Sequence, residues 1–224
     1  MSLLKRIPLH FKGELHDVRL INFTVDMEEV VNAVPPGIKV RDFNGRAMIS
    51  MVDVKLKNMR AVAAPFVPFN YRHVAFRLLV EDSVYNDGLS KGIYFMRSFT
   101  NQRMIVTGGR LLTDYNLSLA NIADNGSEVI ISQGKQFVKY SIRKDVAEPN
   151  KELKATIGSL DRAYSMLHRN VLRVTQIQRE KWPIQEVNCG SFETSFFKSA
   201  RLVGAFRVNE IIYYDWLPPR TVQL

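Results

Sequence analysis

The chain has 224 residues, of which 46% are hydrophobic and 24% are charged. This composition is typical of a folded globular protein and excludes a largely disordered chain. The 31 basic and 22 acidic side chains leave a formal charge of +9, so a nucleic-acid partner has to be considered.

The positive charge is spread along the sequence. No run of five basic residues occurs, and the basic residues alternate with Asp and Glu. A phosphate-binding surface needs clustered charge to create a local potential, so we expect a solvated surface and disfavour a nucleic-acid partner. The most basic part is the last third of the chain, which contains Arg162, Arg169, Arg173, Arg179 and Lys181.

The sequence predicts a cytoplasmic protein with no membrane partner. No apolar run approaches the roughly 18–20 residues that a membrane-spanning helix needs. The first residues, MSLLKRIPLHFKGELHD, lack the continuous apolar segment of a signal peptide. The single cysteine, Cys189, forms no internal disulfide, and we interpret it as an incidental thiol.

We expect no metal site and no cofactor. The four histidines are dispersed, without a partner at the spacing of zinc ligands: His10, His16, His73 and His168.

Alternation of apolar and polar residues predicts most of the secondary structure. The predicted strands are residues 17–25, 38–43, 46–56, 73–80, 92–98, 117–123, 128–132, 136–142, 171–178 and 209–216. Asn44 and Gly45 are typical of a tight hairpin turn, because both residue types tolerate a positive φ. In the strand after this turn, the face that carries Val52 and Leu56 is expected to point into the core.

Few helices are predicted between these strands. A short helix is expected at residues 27–34, a helical start at 101–112 and an amphipathic helix at 159–168. Residues 58–70 contain two prolines and are predicted as an extended loop, and residues 149–158 as a polar connection. Many strands with few helices predict an α+β, mainly antiparallel fold, with residues 1–224 forming a single domain.

Two arginines lie inside otherwise apolar predicted strands. Arg77 and Arg97 must each face water or have a partner, because an unpaired buried guanidinium is costly. His73 lies four residues before Arg77, and this even spacing puts both side chains on the same face of a strand.

Four segments, in order along the chain, carry a family resemblance: IKVRDFNGRAMISMVDV, VAFRLLVED followed by KGIYFMRSF, REKWPIQEV, and YYDWLPP. They resemble the YqjF-like family of uncharacterised proteins, which is related to acetoacetate decarboxylase. The matching residues are Asp42, Phe43, Gly45, Ala47, Ser50, Arg77, Val80, Gly92, Phe95, Ser98, Trp182, Pro183 and Gln185. The sequence departs from the family pattern at His73 and Ala75, where Glu and Asn are expected.

The resemblance implies an acetoacetate-decarboxylase-like fold: a curled sheet that forms a cone-shaped barrel with a central cavity and a few short helices. In acetoacetate decarboxylase a lysine forms a Schiff base with the keto acid. The corresponding lysine pair belongs near residues 107–111, but no lysine lies between Lys91 and Lys135. Decarboxylation by that route is therefore disfavoured.

Three functions stay open. The first is a barrel that binds a small anionic organic ligand through Arg77, Arg97 or Arg110, with His73 as a proton relay. The second is a decarboxylase-like lyase that uses a lysine from elsewhere, such as Lys91 or Lys135. The third is a basic module for an acidic partner or nucleic acid. Long strand edges also favour a homo-oligomer.

Overall fold

The structure is a computed structural model that describes residues 10–35, 37–82, 90–112, 117–148, 150–168, 171–179 and 182–223. Its strands are β1 (Phe11–Asp26), β2 (Ile38–Val40), β3 (Asp42–Phe43), β4 (Arg46–Ala61), β5 (Ala64–Asp82), β6 (Ser90–Thr100), β7 (Leu117–Leu119), β8 (Asn121–Asp124), β9 (Val129–Gln133), β10 (Gln136–Val146), β11 (Arg162–His168), β12 (Val171–Arg179), β13 (Gln185–Thr194), β14 (Arg201–Val208), β15 (Ile212–Trp216) and β16 (Arg220–Gln223). Its α-helices are α1 (Arg103–Leu112) and α2 (Lys151–Gly158), and 3₁₀ turns lie at Met27–Glu29 and Val31–Ala33. In these ranges no helix has the length and apolarity needed to span a membrane.

Seven strands close into a barrel in the order β1, β4, β5, β6, β11, β12, β15 and back to β1. Every pairing in this ring is antiparallel except β6 with β11, which is parallel. The predicted mainly antiparallel, acetoacetate-decarboxylase-like barrel is confirmed.

A glycine permits the close approach of β11 to β6. A Cβ atom at Gly92 would lie 2.7 Å from the carbonyl oxygen of Arg162 and 2.6 Å from the ring of Tyr164. Both distances are too short for a real Cβ, so this position in the barrel wall requires glycine.

Strand β1 belongs to two layers at once. Along most of its length it pairs with β4, but its other edge pairs first with β15 and then, from Val18 onward, with β14. Beyond β14 the sheet continues through β13, β10, β9 and β8. These five strands form a second layer outside the barrel, here called the wing.

The molecule therefore has two hydrophobic cores. The barrel core contains Val52 and Leu56 of β4, and the core between barrel and wing contains Ile49 and Met51 of the same strand. The sequence predicted that the face with Val52 points into a core, and this is correct. Both faces of β4 are nevertheless buried, because the wing covers the outside of the barrel.

A polar network joins the wing to the outside of the barrel. Asp53 on β4 is only 2% exposed and accepts hydrogen bonds from Arg72 Nε at 2.8 Å and Nη2 at 2.6 Å. Tyr140 on β10 donates its hydroxyl to the same carboxylate, and Arg72 Nη1 lies 3.0 Å from Asp124 of β8. Paired in this way, the buried charges bind the two layers together.

The predicted hairpin at residues 38–56 is present around its turn. Asn44 has φ of 54° and Gly45 has φ of 80°, the left-handed pair that a two-residue hairpin turn needs. The Gly45 N–H also donates to Asp42 Oδ1 at 2.6 Å, which holds the turn closed.

Residues 58–70 are not the predicted loop. Strand β4 runs to Ala61 and β5 starts at Ala64, so the segment is the end of a long hairpin. Asn58 has φ of 51°, and the pairing shifts register around it, as in a β-bulge. Pro65 and Pro68 lie in this irregular end of the ladder, where a missing N–H donor costs little.

The predictions of a polar connection at residues 149–158 and of a helix at residues 159–168 are also wrong. Helix α2 occupies Lys151–Gly158, and the side chain of Asn150 caps it by accepting from the Leu153 N–H at 2.9 Å. The segment predicted as a helix forms β11 instead. Its two faces are both buried, with Ala163 in the barrel core and Tyr164 in the other core, so it lacks the polar alternation that marks a strand.

Two smaller helix predictions have different outcomes. Residues 27–34 form two 3₁₀ turns instead of a helix, and the Asp26 side chain makes no cap hydrogen bond. The helical pattern after Asn101 is correct and becomes α1.

Candidate functional site

The barrel interior contains a pocket of about 430 Å³. Its wall consists of inward-facing side chains of β1, β4, β5, β6, β12 and β15, and residues of α1 and α2 contribute at its rim. The apolar part of the wall includes Val52, Val54, Ile93, Ile157, Leu160 and Ile177. A volume of this size lies within the range of small-molecule pockets, roughly 300–1,000 Å³.

Aromatic rings line one side of the pocket as a continuous row. The successive ring centroids are 6.3 Å apart for Phe11 and Phe69, 5.9 Å for Phe69 and Tyr71, 6.1 Å for Tyr71 and His73, 6.5 Å for His73 and Phe95, and 6.0 Å for Phe95 and Trp216. Side chains alternate between the two faces of β5, so Phe69, Tyr71 and His73 all point to this wall. The rings give the pocket a stiff apolar surface.

Arg77 brings a positive charge to the same wall. It lies on β5 opposite Ser50 of β4, and its Nε donates to the Ser50 carbonyl oxygen at 3.1 Å. Its Nη2 donates to the Ser50 hydroxyl at 2.8 Å. These two bonds fix the plane of the guanidinium, and both acceptors are uncharged.

His73 lies on the same face of β5, as the sequence spacing predicts, and it also lines the pocket. Its side chain is 8% exposed. Burial, and to a smaller degree the charge of Arg77, lower the pKa of His73 to about 3. At neutral pH it is an uncharged imidazole, with one nitrogen that donates and one that accepts.

Arg179, the last residue of β12, is a second arginine in the pocket wall. Its Nη2 donates to the carbonyl oxygens of Leu160 at 2.6 Å and Gly158 at 3.3 Å, and its guanidinium carbon lies 4.6 Å from the ring centre of Trp182. In the sequence Arg179 is one of several dispersed cations, so its place in the pocket was not predicted. Its spacing of three residues from Trp182 was the available signal, since arginine stacks on indole.

The structure does not bring Arg97 to the pocket. In the pairing of β5 with β6, Arg77 lies opposite Phe95, and the preceding residue of β5, Phe76, lies opposite Arg97. Met96, between Phe95 and Arg97, is therefore the extra residue of a β-bulge. The bulge turns Arg97 to the outer face of the barrel. There its guanidinium carbon is 5.5 Å from the ring centre of Phe196, and the side chain is exposed.

Several predicted residues are only partly covered by the structure. Arg110 lies in α1, where its neighbours Gly108 and Gly109 line the pocket, but its side chain is outside the described residues. Lys91 pairs with Glu81 between β5 and β6, and its side chain is not described either. Lys135 lies in the exposed turn between β9 and β10 of the wing.

The pocket carries a positive charge in apolar surroundings. Among its described lining residues, Arg77 and Arg179 are charged, and none is Asp, Glu or Lys. Charge interactions are stronger beside this apolar wall than in bulk water, because the surrounding side chains lower the effective dielectric constant. The arrangement favours an anionic group inside the barrel.

Other chemistries have less support. Cys189 donates its thiol to the Ser191 carbonyl oxygen at 3.1 Å, and burial raises the pKa of this thiol, so it is not an activated nucleophile. Within the described ranges, no three His, Cys, Asp or Glu side chains are grouped so that they could hold a metal ion.

The sequence profile of DUF2071, "Uncharacterized conserved protein (COG2071)", matches residues 12–215. The chain belongs to this family. The match runs from β1 to β15 and so includes the strands that close the barrel, and it confirms the YqjF-like resemblance. No curated protein matches the sequence.

Solved structures with the same fold are acetoacetate-decarboxylase-like proteins. Acetoacetate decarboxylase from Legionella pneumophila subsp. pneumophila str. Philadelphia 1 has a TM-score of 0.66 and 12% identity, over 95% of this chain and 86% of that one. An acetoacetate decarboxylase-like enzyme from Sphingomonas wittichii RW1 has a TM-score of 0.61 and 13% identity, over 99% and 94%. The enduracididine biosynthesis enzyme MppR complexed with pyruvate has a TM-score of 0.59 and 13% identity, over 98% and 91%. At these identities the likeness shows the fold alone.

In this DUF2071 chain, the segments that carry the family resemblance meet at the pocket. KGIYFMRSF contributes Ile93 and Phe95, REKWPIQEV contributes Trp182, and YYDWLPP contributes Tyr214 and Trp216. Segments that are far apart in sequence thus build one cavity wall.

Proposed function

We propose that this DUF2071 protein binds a small organic anion inside its barrel, with the acidic group of the ligand at Arg77. The observation that carries the proposal is the charge of the pocket. Arg77 and Arg179 lie in an apolar wall whose described residues include no acidic side chain. An anion is the ligand that such a pocket attracts most strongly.

The contacts of Arg77 suit it to this role. Ser50 holds the guanidinium in place by accepting from Nε and Nη2 through its carbonyl and hydroxyl oxygens, so the charge has a fixed orientation in the pocket wall. A carboxylate that accepts from this planar fork gains charge-assisted hydrogen bonds, which are stronger than bonds to neutral acceptors. His73 supplies a neutral imidazole four residues away on the same face, which has one nitrogen that donates and one that accepts. Its pKa of about 3 disfavours the proton relay that the sequence suggested.

The rest of the pocket suits an apolar ligand body. The aromatic row between Phe11 and Trp216 would cover a ligand whose acidic group lies at Arg77. The fold relatives support the carboxylate class: one is an acetoacetate decarboxylase, and MppR has been seen with pyruvate, a keto acid.

Binding can be tested on the whole protein with a panel of carboxylates and keto acids. We expect at least one compound to raise the melting temperature, and Arg77→Met to weaken its binding about tenfold or more in isothermal titration. Arg97→Met is the matched control, because it removes an arginine of the same barrel that lies outside the pocket, and it should bind like the parent protein. Circular dichroism checks that both variants fold. The proposal fails if no carboxylate stabilises the protein or if Arg77→Met binds as tightly as the parent.

A decarboxylase-like lyase is the second candidate, favoured by the fold it shares with acetoacetate decarboxylase. It requires a lysine amine that condenses with the ketone carbonyl and releases water. The amine would come from elsewhere than residues 107–111, and Lys91 in barrel strand β6 is one candidate. Borohydride with acetoacetate would trap the Schiff base as a stable amine, and mass spectrometry would locate it. An unmodified protein eliminates this candidate.

The basic-module alternative has the least support. Arg173, one of the cations on which it depends, is only 9% exposed. Arg169 and Lys181 lie outside the described residues. Salt-dependent binding to RNA or DNA would revive this alternative, and flat titrations at low salt would remove it.

A further inference from the structure

The second arginine of the pocket does not share a wall with the first. Around the barrel, β5 with Arg77 is followed by β6, β11 and then β12 with Arg179. In the other direction β4, β1 and β15 separate them, so the two strands face each other across a ring of seven. With neighbouring strands about 4.8 Å apart, they are separated by roughly 14 Å along the wall.

Arg179 lines the pocket and keeps hydrogen-bonding capacity that the described residues do not use. Both of its hydrogen bonds use Nη2, and both acceptors are backbone carbonyl oxygens, of Gly158 and Leu160. Hydrogen bonds from its Nη1 and Nε to other described residues are absent. Burial lowers the pKa of Arg179, which the charge of Asp161 raises only in part, so its surroundings compensate this cation incompletely.

Between the two arginines the barrel interior is apolar. Phe95 and Ile93 of β6 lie on the wall next to Arg77, and Ile177 of β12 lies two residues before Arg179. Ile157 and Leu160 contribute further hydrocarbon from the α2 side. The pocket therefore presents a cation at each of two opposite walls and hydrocarbon in the middle.

From this arrangement we infer that the ligand is an elongated dianion with an apolar middle, held by one acidic group at Arg77 and by the other at Arg179. The inference rests on the proposed function and adds the substrate class. A chain or ring that carries a carboxylate at each end places one carboxylate at each arginine and leaves its hydrocarbon against the aromatic row. A monocarboxylate of the same length leaves Arg179 without an anionic partner.

The test compares suberate with octanoate, which have the same chain length but two carboxylates and one. Isothermal titration on the full chain should show suberate binding about tenfold or more tighter than octanoate, as one more charge-assisted contact requires. Succinate and adipate measure the dependence on length, and they should bind more weakly than suberate because they span less of the barrel.

Variants of single arginines show which side chain causes the difference in affinity between suberate and octanoate. Arg179→Met should abolish the preference for suberate over octanoate, and Arg97→Met should preserve it. Because Arg179 also bonds to the carbonyls at the end of α2, Arg179→Lys serves as a second variant that retains the charge if Arg179→Met does not fold. It should retain part of the preference.

Equal affinity of the parent protein for suberate and octanoate overturns the inference and leaves the proposed function intact. The inference also fails if the preference survives in a folded Arg179→Met protein, since Arg179 then only caps α2. If neither compound nor any other carboxylate binds, the proposed function itself fails.

Discussion

The buried histidine of the pocket makes the stability of this protein depend on pH in a way that a single substitution can isolate. Below pH 6.5 the unfolded chain takes up a proton at His73, whereas the folded chain resists it down to about pH 3. Protonation of His73 thus stabilises the unfolded state. The contribution of His73 to the free energy of unfolding is fully present above pH 6.5 and decreases as the pH falls below that value.

The size of the effect follows from the position of pH 5 between the two pKa values. A pH of 5 is about 1.5 units below the pKa of His73 in the unfolded chain, so the unfolded histidine is mostly protonated, while the folded one is still neutral. The free energy of unfolding should therefore be about 2 kcal/mol lower at pH 5 than at pH 8 through this residue alone. His73→Phe removes the titrating group and keeps a ring between Tyr71 and Phe95.

Urea unfolding at pH 8 and pH 5 measures the difference. The parent protein should lose about 2 kcal/mol more than His73→Phe over this interval. Carboxylates with lowered pKa values, such as Asp17 with a pKa of about 2, contribute equally to both proteins and cancel in the comparison. An equal loss in both proteins would refute a neutral, buried His73. So would an imidazole NMR signal of His73 that shifts between pH 8 and pH 5 in the folded protein.

Further predictions concern the barrel and its wing, each measured as a change in the free energy of unfolding. Gly92→Ala should destabilise the protein by about 1–3 kcal/mol, because the new Cβ would collide with the backbone of β11. Gly108→Ala should stabilise it by about 0.5–1 kcal/mol, because this helical position has open space for a methyl group. Equal effects of the two substitutions would contradict the close approach of β11 to Gly92. Tyr140→Phe should cost about 2 kcal/mol through its lost bond to Asp53. Asp53→Ala should cost about 3–5 kcal/mol, because it also removes two hydrogen bonds of half-buried Arg72 and leaves that cation with Asp124 alone; the reverse order would argue against the network. Gly45→Ala should cost roughly 1–2 kcal/mol at its positive φ, and a neutral result would place the turn in another conformation.

What could be predicted from the sequence was local. The turn at Asn44 and Gly45 needs only two residues that tolerate positive φ, so the sequence reveals it directly. The shared face of His73 and Arg77 likewise follows from the spacing of a regular strand. The barrel itself came from the family resemblance, since no local pattern specifies which strands close a ring.

What could not be predicted depends on tertiary contacts. A bulge at Met96 reverses the direction of Arg97, and only the pairing of β5 with β6 reveals that extra residue. Residues 159–168 resemble an amphipathic helix because β11 lacks polar alternation: Ala163 is buried in the barrel core and Tyr164 in the other core. Arg179 reaches the pocket only because β12 closes the barrel against β15, a contact without a sequence signature.

The position of β1 has a consequence for how the chain folds. Phe11 pairs with Trp216, a separation of 216 − 11 = 205 residues, and the adjacent stretch of β1 pairs with β14. Such distant pairings carry a large loop-closure cost and slow the folding of β-rich proteins. During synthesis, β1 stays without its β14 and β15 neighbours until residues 201–216 have left the ribosome. Closure of the barrel and of the pocket wall therefore has to wait for strand β15, although β4, β5 and β6 can already pair with one another.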